Sequence, residues 1–277
     1  MIINIQDDFD LEKIAESGQC FRWQKRDENK YWIPHGDTSL TIEKISEEEY
    51  CLDCSQEEYD RIWKDYFDMD EDYRNIRARI DAERDPFLWT AAEHEKGIRI
   101  LRQQPWEALV SFIISQNRNI PAIKKSIELM AAMAGERRTD FAGNSYYSFP
   151  SPEAILEIGE TGLSECKLGY RSKYVLAAAK AVSVGQFQTA ELMALDSVVS
   201  LARLMTLYGV GEKVATCVLL YGLHHLDAFP IDVWVRRILE NEYPQGYPFE
   251  RYSPYNGVYQ QYMFAYYRKQ GQLPISD

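Results

Sequence analysis

A lysine and an aspartate in the last third of the chain are the residues best suited to covalent chemistry. Lys213 follows the segment GVGE at 209–212, and Asp232 stands in the apolar segment PIDV at 230–233. A lysine amine near a carboxylate can act as a nucleophile with a charged partner. Asp232 could equally be the N-cap of the helix predicted after it, since aspartate is favoured at that position. The pair therefore predicts either a nucleophilic site or a structural cap.

The two glycines before Lys213 predict a tight turn between two apolar helices. Gly209 and Gly211 permit positive φ angles and close backbone approach. The first amides of the helix that begins at Lys213 lack partners within the helix, so this end attracts anions such as phosphate. An ordinary helical hairpin inside a core is the alternative explanation.

Composition bounds the class of protein. The chain has 277 residues, of which 45% are hydrophobic and 27% charged, enough for one large or two ordinary globular domains. Residues 1–100 hold 26 acidic and 14 basic side chains, whereas residues 101–277 hold 17 of each, so the net charge of −12 is confined to the first part. The neutral part can carry basic patches, so a nucleic-acid partner is not excluded, and its binding would weaken steeply with salt.

The cysteines and the apolar runs indicate a reduced compartment. Five cysteines without framework spacing are typical of free thiols. Cys51 and Cys54 form a C-x-x-C pair, but no second pair accompanies them, so a zinc site is the less favoured alternative. The longest apolar run, 214–223, is too short to cross a membrane, and the acidic start of the chain lacks the basic region of a signal peptide. We expect a cytoplasmic protein.

Hydrophobic periodicity predicts an α+β protein. Strands are predicted over 31–37, 38–43 and 49–54, which gives an antiparallel sheet domain with flanking helices over residues 1–95. From residue 96 to 277 the pattern is helical. Helices are predicted over 9–17, 55–67, 71–81, 105–116, 121–134, 168–183 and 200–207, from 213, over 234–241 and within 254–267.

Four further segments hold residues that could bind a ligand, and each also has a structural explanation. Gly18 could be a turn glycine, and Asn117 could belong to a cap and turn between helices. Tyr170 and Arg171 could be solvated surface residues. In the last segment Gln260 and Phe264 share one helix face, because they stand at i and i+4, and they could simply pack.

Taken together, these segments resemble the helix-hairpin-helix DNA glycosylases. The G-V-G-x-K turn followed by P-x-D-V carries the resemblance, and the lysine marks the bifunctional branch, which cuts both the glycosidic bond and the strand. The segments S-G-Q-x-F-R-W, S-x-N-x-N-I and L-G-Y-R-x-x-Y narrow it to the 8-oxoguanine DNA glycosylase family. The resemblance covers nearly the whole chain and implies two helical subdomains with the active-site cleft between them.

The resemblance assigns the catalytic chemistry to the lysine and the aspartate. Lys213 attacks C1′ of the sugar, and Asp232 stabilises the positive charge that develops on the sugar and assists proton shuttling. A Schiff base forms, and β-elimination then nicks the strand.

The resemblance also implies a pocket for the extruded base. The Gly18 carbonyl accepts the proton on N7 of 8-oxoguanine, where guanine has only an acceptor. Cys217 and Phe264 sandwich the base, and the Gln260 amide reads its Watson–Crick edge because an amide both donates and accepts.

Six further positions are implied to face the DNA, and the sixth of them is Trp234. Asn117 hydrogen-bonds the orphaned cytosine, Tyr170 wedges into the base stack, and Arg171 contacts the orphan base. Gly209 and Gly211 in the turn contact the DNA backbone.

The sequence departs from the family pattern at two positions. Ala122 stands where better-known members carry an arginine that helps to read the opposite cytosine, which predicts tolerance of other opposite bases. Trp234 stands where many relatives have a histidine that touches a phosphate, so that contact is lost or replaced.

The implied partner is double-stranded DNA containing 8-oxoguanine, bound by a monomer that is nucleoid-associated if the source is prokaryotic. No cofactor is required and no iron–sulfur cluster is expected, because four closely spaced cysteines are missing near the C-terminus. The resemblance also allows a structural cation at the carbonyl oxygens of the turn before Lys213.

Two other classes of function are alternatives to an 8-oxoguanine glycosylase. A glycosylase for alkylated bases would usually lack Lys213 and would read its base with aromatic residues alone. A non-catalytic module that only binds duplex backbone would leave the Lys213–Asp232 pairing and the Gln260–Phe264 face as coincidences.

Overall fold

An antiparallel sheet forms the first part of the protein, as the alternating pattern predicts. The computed structural model describes residues 1–270, apart from the side chains of residues 189 and 190. The strands are β1 (Ile2–Asn4), β2 (Gln24–Asp27), β3 (Lys30–His35), β4 (Thr38–Lys44) and β5 (Glu49–Leu52). Their order is β1-β5-β4-β3-β2, and each neighbouring pair is antiparallel. The sequence does not predict β1 and β2, because neither the segment IIN nor the segment QKRD alternates apolar and polar residues.

Short helices accompany the sheet. They are α1 (Leu11–Glu16), α2 (Gln56–Glu58), a π-helical segment (Tyr59–Trp63), α3 (Lys64–Tyr66), α4 (Tyr73–Ala78) and α5 (Pro86–His94). The helix predicted over 55–67 is therefore present as a continuous run with a π-helical middle. α5 was not expected from the sequence, although Asp85 caps it by accepting a hydrogen bond from the Leu88 amide at 3.0 Å.

Helices make up most of the remainder. They are α6 (Pro105–Ser115), α7 (Ile120–Ala134), α8 (Pro152–Glu165), α9 (Arg171–Ser183), α10 (Thr189–Ala194), α11 (Ser197–Leu204), α12 (Glu212–Tyr221), α13 (Val233–Glu242), α14 (Phe249–Tyr252) and α15 (Asn256–Gln270). A two-stranded hairpin, β6 (Arg137–Thr139) with β7 (Ser145–Tyr147), interrupts them. The α+β class predicted from the sequence is confirmed.

Two hydrophobic clusters hold the fold together. The smaller one lies between the sheet and its helices and includes Ile33, Leu40 and Trp63. The larger one spans the helices from α4 onward and also takes in Phe21 from the first part of the chain. Residues before 95 thus contribute to both clusters, and the domain boundary suggested by the charge distribution stays a prediction.

Helix packing brings distant segments of the chain to one place. α12 packs against α6 and α11, and α15 packs against α5, α13 and α14. The first turn of α12, the residue before α13 and the middle of α15 therefore surround a single cavity, which the Ser17–Gly18 segment closes from the side of the sheet domain.

Candidate active site

One cavity of about 50 Å³ brings together both catalytic candidates and all four base-binding candidates. Its lining consists of Ser17, Gly18, Phe112, Lys213, Cys217, Tyr221, Pro230, Asp232, Gln260 and Phe264. These residues come from five separate stretches of the chain, so the grouping is a result of the fold and not of sequence proximity.

Lys213 enters the cavity from the first turn of α12. Lys213, Cys217 and Tyr221 are four residues apart, so they form one stripe along the helix. The Lys213 Nζ lies 5.3 Å from the centroid of the Phe112 ring, which is a cation–π distance. Burial raises the pKa of the Cys217 thiol, while the neighbouring Lys213 charge opposes that rise. Cys217 is therefore a neutral, buried wall of the site.

Asp232 is both a helix cap and a cavity residue. Its Oδ1 accepts hydrogen bonds from the amides of Trp234 at 2.9 Å and Val235 at 2.8 Å, so the N-cap explanation is correct. The carboxylate nevertheless lines the cavity together with Lys213. Within residues 1–270 no ion pair joins Lys213 to Asp232. The backbone amides of α13 thus hold Asp232 by one carboxylate oxygen, and the Lys213 amine takes no part in holding it.

Gly18 lies where α1 has ended and the chain turns toward the cavity. Its φ of +82° is a conformation that residues with a side chain rarely adopt. A Cβ at this position would stand 3.4 Å from Cε1 of Phe264, so the glycine also allows the aromatic ring to lie close.

Gln260 and Phe264 present one face of α15 to the cavity, as their spacing predicts. Gln260 is only 4% exposed, yet its Oε1 has no hydrogen-bond partner among residues 1–270. A buried amide oxygen without a partner is costly, so it marks a place where a ligand would supply the missing group. The guanidinium carbon of Arg268 lies 5.4 Å from the Phe264 ring centroid.

The turn before Lys213 uses its two glycines differently. Gly209 has a φ of +83°, and a Cβ there would lie 2.1 Å from Cγ of Tyr174. Gly211 is extended, with φ −91° and ψ 177°, and an added Cβ would meet nothing within 4 Å. The expected positive φ is therefore present at Gly209 and wrong for Gly211. Gly211 is the N-cap of α12 without a side-chain cap, which leaves the helix start open to a ligand.

The candidate DNA-contact residues around Asn117 form a connected group. Asn117 is exposed with a φ of +48°, and Tyr170 is 53% exposed. Arg171 is only 8% exposed, and its guanidinium donates to the carbonyl oxygens of Gln116 (Nε, 2.9 Å) and Asn117 (Nη2, 3.1 Å). The alternative of a solvated charge is therefore wrong for Arg171, which holds the loop before α7.

Other residues of the site were missed by the sequence analysis. Phe112 was hidden within the apolar run of α6, whose pattern indicates only burial. Gln116, Gln261 and Arg268 are polar residues beside predicted site positions, and the adjacent glutamines at 260 and 261 in an aromatic helix were a usable signal. Gln261 is fully buried and contacts Ser17 and Tyr221 of the cavity wall.

Trp234 lies outside the lining of the cavity. It occupies the first turn of α13, half-buried, with the Arg237 guanidinium 5.4 Å from its ring.

No group of three or more His, Cys, Asp or Glu side chains in residues 1–270 is arranged to hold a metal ion. All five cysteines are free. No helix in the same range is long and apolar enough to cross a membrane.

Comparison with known proteins defines the class to which this fold and site belong. Residues 110–244 match the model of the HhH-GPD superfamily of base excision DNA repair proteins, and residues 1–109 match the 8-oxoguanine DNA glycosylase N-terminal domain. Over 257 residues the chain is 32% identical to the N-glycosylase/DNA lyase of Saccharomyces cerevisiae, covering 84% of this chain and 68% of the yeast protein. The chain belongs to the 8-oxoguanine DNA glycosylase family.

Solved structures agree over the whole fold. A structure of MBOgg1 with a low-affinity DNA ligand has a TM-score of 0.91 at 37% identity, covering 98% of this chain and 96% of the other. The 8-oxoguanine glycosylase/lyase of Clostridium acetobutylicum, bound to duplex DNA with cytosine opposite 8-oxoG, has a TM-score of 0.88 at 32% identity, covering 98% of both chains. The chain spans 68% and 64% of the lengths of two curated relatives.

Proposed function

We propose that this protein excises 8-oxoguanine from duplex DNA and then cuts the strand at the resulting site. The observation that carries the proposal is the meeting of Lys213, Asp232 and Gln260 in one cavity, with the Gln260 Oε1 left without a partner in the part of the chain that the structure describes. A nucleophile, an anion and a buried hydrogen-bonding group together suit a site that removes a base and then cuts the strand through a covalent intermediate.

The extruded base would occupy the space between Cys217 and Phe264. Stacking on an aromatic ring offsets part of the unstacking energy. Gln260 would supply donor and acceptor to the Watson–Crick edge of the base, which removes the cost of its unpartnered oxygen. The Gly18 carbonyl would accept the N7 proton that 8-oxoguanine has and guanine lacks.

The neutral Lys213 amine would then attack C1′ of the sugar. The C1′–N9 bond breaks, the bonding electrons leave with the base, and the proton lost from the amine is available to the leaving base. Asp232 would stabilise the positive charge that develops on the sugar, because its carboxylate is fixed by the amides of α13.

Ring opening of the amine adduct gives a Schiff base between Lys213 and C1′. Loss of a C2′ proton then expels the 3′ phosphate as leaving group, and the strand is cut by β-elimination. Asp232 would assist the proton transfers of this step. Hydrolysis of the Schiff base returns the free lysine.

Contacts with the opposite strand would come from Asn117 and Tyr170, which are both exposed. Arg171 would hold the Asn117 loop through its hydrogen bonds to the carbonyls of Gln116 and Asn117. It would contact the orphan base while it makes these bonds. Gly209, Gly211 and Trp234 would face the DNA backbone. With Ala122 in place of an arginine, we propose a relaxed preference for the opposite base.

The remaining proposals concern cofactors, assembly and location. No cofactor is needed for the chemistry above. A structural cation at the turn carbonyls would share the Gly209 carbonyl with Gln116, which donates to it at 3.1 Å. We propose a monomer that acts in the cytoplasm, at the nucleoid if the source is prokaryotic.

The test is direct measurement of both products. Incubation with a duplex containing one 8-oxoguanine opposite cytosine should release free 8-oxoguanine and a nicked strand in equal amounts. Base release without nicking would contradict the bifunctional mechanism. Neither product with 8-oxoguanine, but release of an alkylated base, would favour the alkylation-repair alternative.

A further inference from the structure

The Ser17–Gly18 segment is held by a glutamine of the C-terminal helix. Gln261 is fully buried, and its Nε2 donates to the Ser17 carbonyl at 2.6 Å. Its Oε1 accepts a hydrogen bond from the Tyr221 hydroxyl. One side chain therefore joins three walls of the cavity, from α15, from α12 and from the loop that carries Gly18.

A second glutamine holds the other side of Gly18. The Gln103 side chain donates to the Gln19 carbonyl at 2.8 Å. The Gln19 amide is itself fixed, because it donates to the Arg99 carbonyl and accepts from the Leu101 amide, both at 2.8 Å. Both carbonyls that flank Gly18 are thus engaged. Among the hydrogen bonds of residues 1–270, none ends on the Gly18 carbonyl itself.

This arrangement matters because glycine does not fix its own conformation. At a φ of +82° the backbone of Gly18 can rotate at little steric cost, and its carbonyl could turn away from the cavity. A donor on the preceding carbonyl and a donor on the following one restrict that rotation. The carbonyl between them then stays available as a preorganised acceptor.

We infer that Gln261 is a positioning residue that sets the selectivity of the cavity for a base with a hydrogen-bond donor facing Gly18. This inference rests on the proposed function. It predicts that Gln261 matters for removing the damaged base and not for the lysine chemistry at a site from which the base is already gone.

The test compares two substrates in the same variants. Gln261→Glu keeps the size of the side chain and an acceptor for Tyr221 but loses the donor to Ser17. Gln261→Met, an uncharged second variant, guards against misfolding from a buried carboxylate. Gln245→Glu makes the same chemical change at an exposed position and serves as the control. Melting temperatures establish which variants are folded.

The readouts are single-turnover release of 8-oxoguanine and borohydride trapping of Lys213 on a preformed abasic site. We expect both Gln261 variants to release 8-oxoguanine about tenfold more slowly, the effect of weakening one hydrogen bond to the substrate. Trapping on the abasic site should stay within about twofold of wild type, since no base is read there.

Two results would overturn the inference. Equal losses on both substrates would mean that Gln261 only supports the fold of the site. Unchanged 8-oxoguanine release in a folded variant would mean that the Gly18 carbonyl needs no such support. If the wild-type protein forms the borohydride adduct with abasic DNA but never releases 8-oxoguanine, the proposed substrate is contradicted instead. This outcome is seen with the wild type alone, before any variant is compared.

Discussion

Lys213 and Asp232 line the same cavity from two different helices, and no ion pair joins them in the part of the chain that the structure describes. An amine that is neither paired with nor shielded by the carboxylate can approach a sugar carbon held beside both groups. The separation of the nucleophile from its charged partner is thus a property of the folded chain, set by the start of α12 and the cap of α13.

Substitution of the nucleophile is the first prediction. Lys213→Gln should lower both base release and strand cutting by more than about three orders of magnitude, because no second lysine lines the cavity among residues 1–270. Duplex binding should stay within a few-fold of wild type, since Lys213 is one contact among many. Product analysis by denaturing gel and binding by fluorescence anisotropy check both parts. Appreciable base release by the variant would remove Lys213 from its role.

The two roles of Asp232 can be separated by a matched pair of substitutions. Asp232→Asn keeps an N-cap oxygen, so the variant should be as stable as wild type while base release falls about a hundredfold. Asp232→Ala should lose the same activity and also about 1 kcal/mol of stability, because the amides of Trp234 and Val235 lose their acceptor. Denaturant unfolding and single-turnover kinetics measure the two effects. Full activity of Asp232→Asn would leave the residue with a structural role alone.

The turn before Lys213 shows how much of the local structure can be predicted from the sequence. The spacing of apolar residues predicts both flanking helices, since periodicity follows directly from which side is buried. It does not show which of the two glycines is required. Gly209 has a positive φ and leaves no room for a Cβ against the Tyr174 ring, which comes from a distant part of the chain.

The same limit explains the other differences. Arg171 reads as a solvated charge in sequence, and only the fold brings the Gln116 and Asn117 carbonyls to it. Gln261 was overlooked because a glutamine inside an aromatic helix shows its purpose only through partners far away in sequence. Local periodicity predicts elements, whereas such long-range hydrogen bonds depend on how the elements pack.

The two glycines of the turn should respond differently to alanine. Gly209→Ala should destabilise the protein by about 1–3 kcal/mol, because the new Cβ would collide with Tyr174 and the φ is unfavourable. Gly211→Ala should destabilise the protein by at most about 1 kcal/mol, because the added methyl group meets nothing but alanine is a poorer N-cap than glycine. Thermal unfolding distinguishes them. If Gly211 faces the DNA backbone, its variant should bind duplex more weakly than this small loss of stability explains.

Opposite-base preference gives a prediction that depends on a single position. With Ala122 at the start of α7, excision opposite the four bases should differ by less than about tenfold, because no arginine is present there to read cytosine. Ala122→Arg should widen the difference in favour of cytosine. Single-turnover rates on four duplexes check this. A strong preference for cytosine in the wild type would show that another residue reads the opposite base.

A half-buried carboxyl in α6 should make stability depend on pH. Burial raises the pKa of Glu107 to about 7, although the charge of Arg22 opposes the rise. Because the pKa is higher in the folded than in the unfolded protein, the contribution of Glu107 to stability is full below its ordinary pKa and is lost as the pH rises through about 7. Glu107→Gln should therefore stabilise the protein at pH 8 by at least about 1 kcal/mol relative to its effect at pH 5. Equal effects at both values would contradict the raised pKa.

Borohydride trapping on a duplex with 8-oxoguanine, followed by mass spectrometry of the adduct peptide, tests the central claim most directly. Reduction captures a Schiff base as a stable bond between protein and sugar, so the modified residue identifies the nucleophile. We predict an adduct on Lys213 in the wild type and none in Lys213→Gln. An adduct on another residue, or release of the free base without any adduct, would contradict the account.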